Sequence, residues 1–228
     1  MLPSSETIFS PAHQVPPAGT GQHIVLYGIS WETYERLLAD LVDSSAPRLT
    51  FDQGVLEVMS PTAEHEEYNR TLALLVEVVA EELQINVRRL GSTTFKRQDL
   101  LTGFEPDSCF YIQSTQGIRG KKRIDLTQDP PPDLVIEIDL TNPSLDRFPI
   151  FARVGVPEVW RYDGSRVQIF KLTGEQYVEV GQGVALPPLT STVVTLFLED
   201  SMELESTAWL RRVREWVRKQ TEESKTAS

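Results

Sequence analysis

The segment Pro130-Pro131-Pro132-Asp133-Leu134-Val135-Ile136-Glu137-Ile138-Asp139-Leu140 restricts the fold more than any other part of the chain. No helix can run through three consecutive prolines, and the residue before a proline is driven towards extended backbone. Leu134-Val135-Ile136 is then apolar without alternation, as in a strand covered on both faces. Such a strand belongs in a sheet flanked by other layers, not in a bundle or a solvent-faced sandwich. Glu137 and Asp139 stand two residues apart on it and so share one face. Two carboxylates on one face of a buried strand are costly unless cations or a metal compensate them. A hard divalent cation with oxygen ligands would do so, and so would Arg or Lys from a neighbouring helix.

Local signals place the remaining elements around this strand. Ser30 caps a short amphipathic helix whose apolar positions are Trp31, Tyr34, Leu37, Leu38 and Leu41. Arg48–Asp52 and Val55–Met59 flank Gln53-Gly54 and predict a hairpin. Ser60-Pro61-Thr62 opens the longest helical pattern, with the stripe Tyr68, Leu72, Leu75, Val79 and Leu83. Strands are expected over Ile85–Arg89, Thr93–Lys96, Asp107–Gln113 and Leu134–Leu140, and a helix over Ser144–Val154. Strands Glu158–Tyr162 and Arg166–Lys171 follow, joined through Asp163-Gly164, with another at Tyr177–Val180. Met202 to Lys219 reads as an amphipathic helix with Trp209, Val213, Trp216 and Val217 on one stripe. The fold class is therefore α/β (mixed α+β), with one central mixed sheet flanked by helices. Residues 1–22, rich in Pro, Ser, Gly and Ala, predict a flexible arm. Residues 23–200 form the expected domain, and 201–228 a C-terminal helix and tail. That helix packs either on its own domain or on a second copy, as a homodimer.

Composition excludes several classes. The chain has 22 Lys+Arg and 33 Asp+Glu, a formal net charge of −11, which argues against coating nucleic acid by bulk electrostatics. It leaves room for a local cation site. No apolar run approaches the ~20 residues of a membrane span. The first residues lack a basic segment followed by an apolar one, so the expected location is cytoplasmic. The single cysteine, Cys109, can form neither an internal disulfide nor a structural zinc site.

Candidate chemistry gathers at few positions. Asp107 begins an apolar strand after Glu105-Pro106, and His65, with Glu66 beside it, points from the start of the long helix towards the sheet. Arg147 lies where it could reach back to Glu137 and Asp139, as a site residue or as a structural ion pair. Arg119, Lys121, Lys122 and Arg123 form a basic loop between the two acidic strands, suited to phosphate contact or to plain solvation. Neither a phosphate-binding Gly-rich loop nor a Ser–His–Asp set is present.

At these residues the chain resembles the Uma2 family of restriction-endonuclease-like proteins, within the PD-(D/E)XK nuclease superfamily. Met59-Ser60-Pro61 with His65, Pro106-Asp107, Pro132-Asp133-Leu134-Val135-Ile136-Glu137-Ile138 and Gly155-Val156-Pro157-Glu158-Val159-Trp160 carry the likeness, in order, between Ile24 and Leu198. The resemblance implies a PD-(D/E)XK core with Asp107 and Glu137 as direct ligands of Mg²⁺ (or Mn²⁺), and the Ile138 carbonyl as a further ligand. It implies His65 or Glu66 near the metal or its water, and DNA as the partner. The third position of the (D/E)XK triplet is Asp139 here, where the superfamily has Lys, and Arg147 stands where related sequences carry Lys on the following helix. Arginine holds a phosphate or a water but does not act as a base. The implied function is metal-dependent DNA hydrolysis; the alternative is a degenerate nuclease fold that binds or assembles without cutting.

Overall fold

Gln53 and Gly54 both have positive φ, 47° and 92°, the conformation of a two-residue hairpin turn that matches strand twist. The computed structural model describes residues 22–42, 47–140 and 145–226. Residues 1–21 of the expected arm, and Ser144 at the expected start of the third helix, lie outside them.

The hairpin joins β2 (Arg48–Asp52) to β3 (Val55–Ser60). Together with β1 (Gln22–Tyr27), β5 (Phe95–Arg97) and β6 (Thr102–Phe104) it forms a five-stranded sheet in the order β1-β3-β2-β6-β5, with every pairing antiparallel. Helix α1 (Trp31–Asp40) starts at Ser30, whose side chain accepts from Thr33 N. Trp31 and Tyr34 of α1 pack on Leu49, Phe51 and Leu56, with Tyr34 stacked on Phe51 at 5.0 Å between ring centroids. Strand alternation sends Arg48, Thr50 and Glu57 to the opposite face, and all three are buried. That face carries the site described below.

A second sheet runs β11-β10-β9-β8-β7-β4, built from β4 (Arg88–Arg89), β7 (Ser108–Tyr111), β8 (Leu134–Ile138), β9 (Glu158–Tyr162), β10 (Val167–Thr173) and β11 (Gln176–Val180). Only β8 and β9 pair in parallel, so this sheet is mixed. The crossover between them carries α3 (Phe148–Val154), which is shorter than Ser144–Val154 because Pro149 sits in its first turn, where proline is tolerated. Among the described residues the fold is thus mixed α+β with two sheets and five helices, rather than built around one sheet.

Helix α2 (Ala63–Glu82), capped by Thr62, lies across one face of the second sheet through Leu72, Leu75, Val76 and Val79. Two further helices complete that layer. Segment Ser191–Glu203 forms α4, which the sequence reading did not anticipate, and Ser206–Thr226 forms α5 after an extended Leu204. Trp209, Val213 and Val217 of α5 are buried in the core of this layer, and Trp209 Nε1 donates to Phe197 O at 2.7 Å. Burying a side chain of this size stabilises by about 1.5–3 kcal/mol, so the stripe that suggested a dimer is used within the chain. The other face of the sheet, through Cys109, Tyr111, Val135 and Val159, packs on α3 and on Phe95 and Phe104 of the first sheet. Among the described residues no helix is long and apolar enough to cross a membrane.

Candidate active site

Asp107 and Glu137 face each other across two strands. Strands β7 and β8 pair with Ser108 opposite Ile136, so one further step of that register sets Asp107 opposite Glu137 on the face packed by the first sheet. Both are buried, at 2% and 7% exposure, and the first sheet brings two further charged side chains to them. From β2, Arg48 forks to Asp107 Oδ1 and Glu66 Oε1. From β3, Glu57 meets Arg147, whose guanidinium bridges Glu57 Oε2 at 3.0 Å and Glu137 Oε2. His23 of β1 adds an imidazole 3.5 Å from Glu57.

Asp107 is the most heavily bonded acid of the group. Its Oδ2 accepts from Ile138 N at 2.7 Å and lies 3.0 Å from His65 Nε2, while Asn69 of α2 donates to its carbonyl at 3.1 Å. Asn69 is itself fixed by Ser108 Oγ at 2.7 Å. This ties the start of α2, held by its Thr62 cap, to the start of β7.

Glu137 Oε1 is nonetheless buried without a hydrogen-bond partner, while Glu57 Oε1 has only His23 Nδ1 at 3.5 Å and His65 only its approaches to Asp107 and Glu66, outside hydrogen-bond geometry. Unpaired polar atoms are rare inside proteins and mark places where something further binds or moves. The electrostatics are uneven in the same way. Burial raises the Glu137 carboxyl to about 6, with Arg147 pulling against it, and burial also raises Asp139. Burial, then Arg48 and Arg147, lower His65 to about 4, so its ring is neutral at pH 7. Glu57, Asp107 and Glu137 share Arg48 and Arg147; Arg48 also serves Glu66, which Arg70 approaches at 3.7 Å, and Arg161 acts on Asp139.

A divalent cation fits this donor set by its chemistry. Mg²⁺ asks for hard oxygens and takes as few as one or two carboxylates, the rest being water. Glu137 Oε1 offers a buried oxygen with no hydrogen bond, across the register from Asp107. Among the described residues no group of three or more His, Cys, Asp or Glu is arranged to hold a metal. The acids of the site are held by arginines.

The sequence candidates divide accordingly. Asp107, Glu137, Arg147, His65 and Glu66 come together; Asp139 follows the end of β8, half-buried, its N–H bonded to Tyr162 O at 2.7 Å. Basic residues 119–123 stand apart: Lys121 pairs with Asp129, Arg119 is exposed, and Lys122 and Arg123 line a separate cavity. Arg48, Glu57, His23 and Asn69 escaped the sequence reading. For Arg48 and Glu57 a signal existed, since each alternates with the apolar residues of its strand; nothing local says that this polar face is covered.

Two neighbouring motifs prove structural. Asp133 accepts from Ile112 N, Ser114 N and Ser114 Oγ, and so shapes the turn after β7. Glu158 accepts from Trp160 Nε1, Val184 N and Ala185 N, and a side chain at Gly183 would run into its carboxylate.

No curated protein matches the chain. A crystal structure described as a putative nuclease belonging to DUF820 from Anabaena variabilis ATCC 29413 aligns over 75% of this chain and 99% of that one, with 15% identity and a TM-score of 0.48. Residues 31–205, some three quarters of the sequence, match the family described as "Uma2: Putative restriction endonuclease". The chain belongs to the Uma2 family.

Proposed function

We propose that the protein is a metal-dependent endonuclease that hydrolyses DNA phosphodiester bonds, with Asp107 and Glu137 as the ligands of Mg²⁺ or Mn²⁺. The observation that carries this reading is Glu137 Oε1, a buried carboxylate oxygen without a hydrogen bond, opposite a second buried acid. A divalent cation supplies a lowered pKa for bound water and neutralises charge on phosphate oxygens.

The chain's own residues have separable tasks. Ile138 N–H and Arg48 hold and aim the Asp107 carboxylate. Arg147 holds Glu137 and Glu57, and its permanent charge suits it to a phosphate oxygen and not to proton abstraction. His65, neutral at pH 7 and 3.0 Å from Asp107, can accept or pass a proton at a ring nitrogen. DNA is the substrate proposed from the family description, in a cytoplasmic setting.

One observation favours a second reading. Arg147 spans Glu57 and Glu137, so it can also lock both acids into a structural ion pair and leave a nuclease fold that binds without cutting. Thermal unfolding with saturating Mn²⁺ or Mg²⁺ separates the two, because a ligand of the folded state raises its stability. The endonuclease reading expects an upward shift that Glu137→Gln abolishes, and plasmid cleavage that Glu137→Ala abolishes. Equal cleavage by wild type and Glu137→Ala sinks the site; no metal shift in wild type favours the binding module.

A further inference from the structure

A cavity of about 640 Å³ opens beside the acidic centre, and its charge is opposite to that of the whole chain. Among the described residues, Arg48, Arg88, Lys96, Lys122 and Arg123 line it against one acid, Glu105. That acid accepts from the neutral donors Leu49 N and Thr94 Oγ1, so its charge remains, but the cations outnumber it. Of the five cations, Arg88 spends its guanidinium on two neutral carbonyls, Ile118 O and Lys121 O, so its charge is uncompensated and it anchors the loop bearing Lys122 and Arg123. Lys122 and Arg123 are exposed. Lys96 shares its charge with Glu35, and Arg48 reaches through to Asp107. The adjoining cavity around Arg36 holds as many acids as bases, so the positive character belongs to this one place.

We propose that this cavity binds the sugar-phosphate backbone of a single nucleic-acid strand. The volume is that of a small-ligand pocket, the scale of a few nucleotides of one strand rather than of a whole duplex. The remaining lining is aliphatic and hydroxylic, without an aromatic ring on which a base could stack, so the contact is with backbone and indifferent to sequence. Arg48 is common to both places: it lines the cavity and holds Asp107, while Glu105 precedes Asp107 by two residues. A strand lying over Arg88, Lys122 and Arg123 therefore runs up to the acidic centre. What happens to it there rests on the nuclease reading; its binding does not.

The test is fluorescence anisotropy of a labelled short oligothymidylate with the full chain in EDTA, across a salt series. Neutralising about three phosphates predicts a slope of roughly 2 in log Kd against log salt, at about 0.7 per phosphate on a single strand. Lys122→Glu/Arg123→Glu is expected to weaken binding more than about tenfold and to flatten that slope. Lys171→Glu/Arg211→Glu, with the same change in net charge on exposed residues elsewhere, is expected to stay close to wild type. The proposal is overturned if wild type does not bind at low salt, if the two double variants lose affinity equally, or if a duplex of the same length binds as tightly. Strand binding that persists while neither the strand nor plasmid DNA is cut in Mn²⁺ overturns the nuclease reading alone.

Discussion

The two ends of the β8–β9 pair hold buried carboxylates in opposite ways. Where these strands begin, Asp133 and Glu158 accept from main-chain N–H groups, a serine hydroxyl and an indole. Where β8 ends, Asp107 divides its oxygens between Arg48 and the Ile138 N–H, while Glu137 is held by Arg147 and its Oε1 is left without a partner. Burial does not distinguish the ends, since Asp133 is 6% exposed and Glu137 7%. The partner does. Main-chain donors are fixed by the fold and saturate the acid, so those carboxylates shape loops. Guanidinium groups ride on long side chains and can exchange one oxygen partner for another. A carboxylate held that way remains open to a cation or a phosphate.

The largest effect is expected at the saturated end. Glu158→Ala strands two buried donors, the Trp160 indole and the Ala185 N–H, and frees the part-buried Val184 N–H; at about 1–3 kcal/mol for each buried donor, a loss of about 3–6 kcal/mol should appear in urea unfolding. The loss should be the same at pH 8 and pH 5.5, because amides and an indole do not titrate there. A cost below about 1 kcal/mol would break the comparison by showing that Glu158 is no more embedded than a surface acid.

Next in size is Arg147→Met, which removes the cation shared by Glu57 and Glu137. Breaking a buried pair costs about 3–5 kcal/mol when the remaining charge has no other partner. Here the loss should depend on pH. Glu137 already titrates near 6, above its ordinary 4.5, and without Arg147 it moves higher still. In the variant the folded state therefore keeps a proton that the unfolded chain has released, and stability is regained as pH falls through that range. A loss that stays constant from pH 8 to pH 5 would place Glu137 with the saturated acids.

The sequence discloses one end of this contrast better than the other. The hairpin at Gln53-Gly54, the long α2 and the β8 run follow from turn chemistry and periodicity, and the alternation of Glu137 with Val135 predicts the buried acid. Asp107 and His65 are legible for similar local reasons. Helix α4 is not, because its Val193-Val194-Thr195 core favours strands locally and only packing under α5 makes it helical. Nor are Arg48 and Glu57. They enter the site because one sheet folds over the other, a contact between residues some fifty to ninety positions apart that leaves no mark on local pattern. A single expected sheet becomes two for the same reason, since strand pairing is a long-range choice.

The smallest and most discriminating effect concerns His65. Its ring titrates near 4 in the fold against 6.5 when unfolded, so between these values only the unfolded chain takes up the proton. Stability contributed this way is complete above pH 6.5 and lost as pH falls towards 4. A tenfold change in proton affinity is worth about 1.4 kcal/mol, so the whole window amounts to at most about 3 kcal/mol. Glu137 works in the opposite sense between 6 and 4.5, where the fold holds a proton that the unfolded chain releases, and it masks part of the loss in wild type. His65→Asn isolates the imidazole: in EDTA, the difference between variant and wild type should change by about 1–3 kcal/mol in the variant's favour from pH 7 to pH 4, with no change above pH 7. A difference that stays flat across that range would mean the ring is charged or solvated in the fold. Two of the unpartnered nitrogens beside Asp107 would then have found water, and the acidic end would be nearer saturation than Glu137 Oε1 suggests.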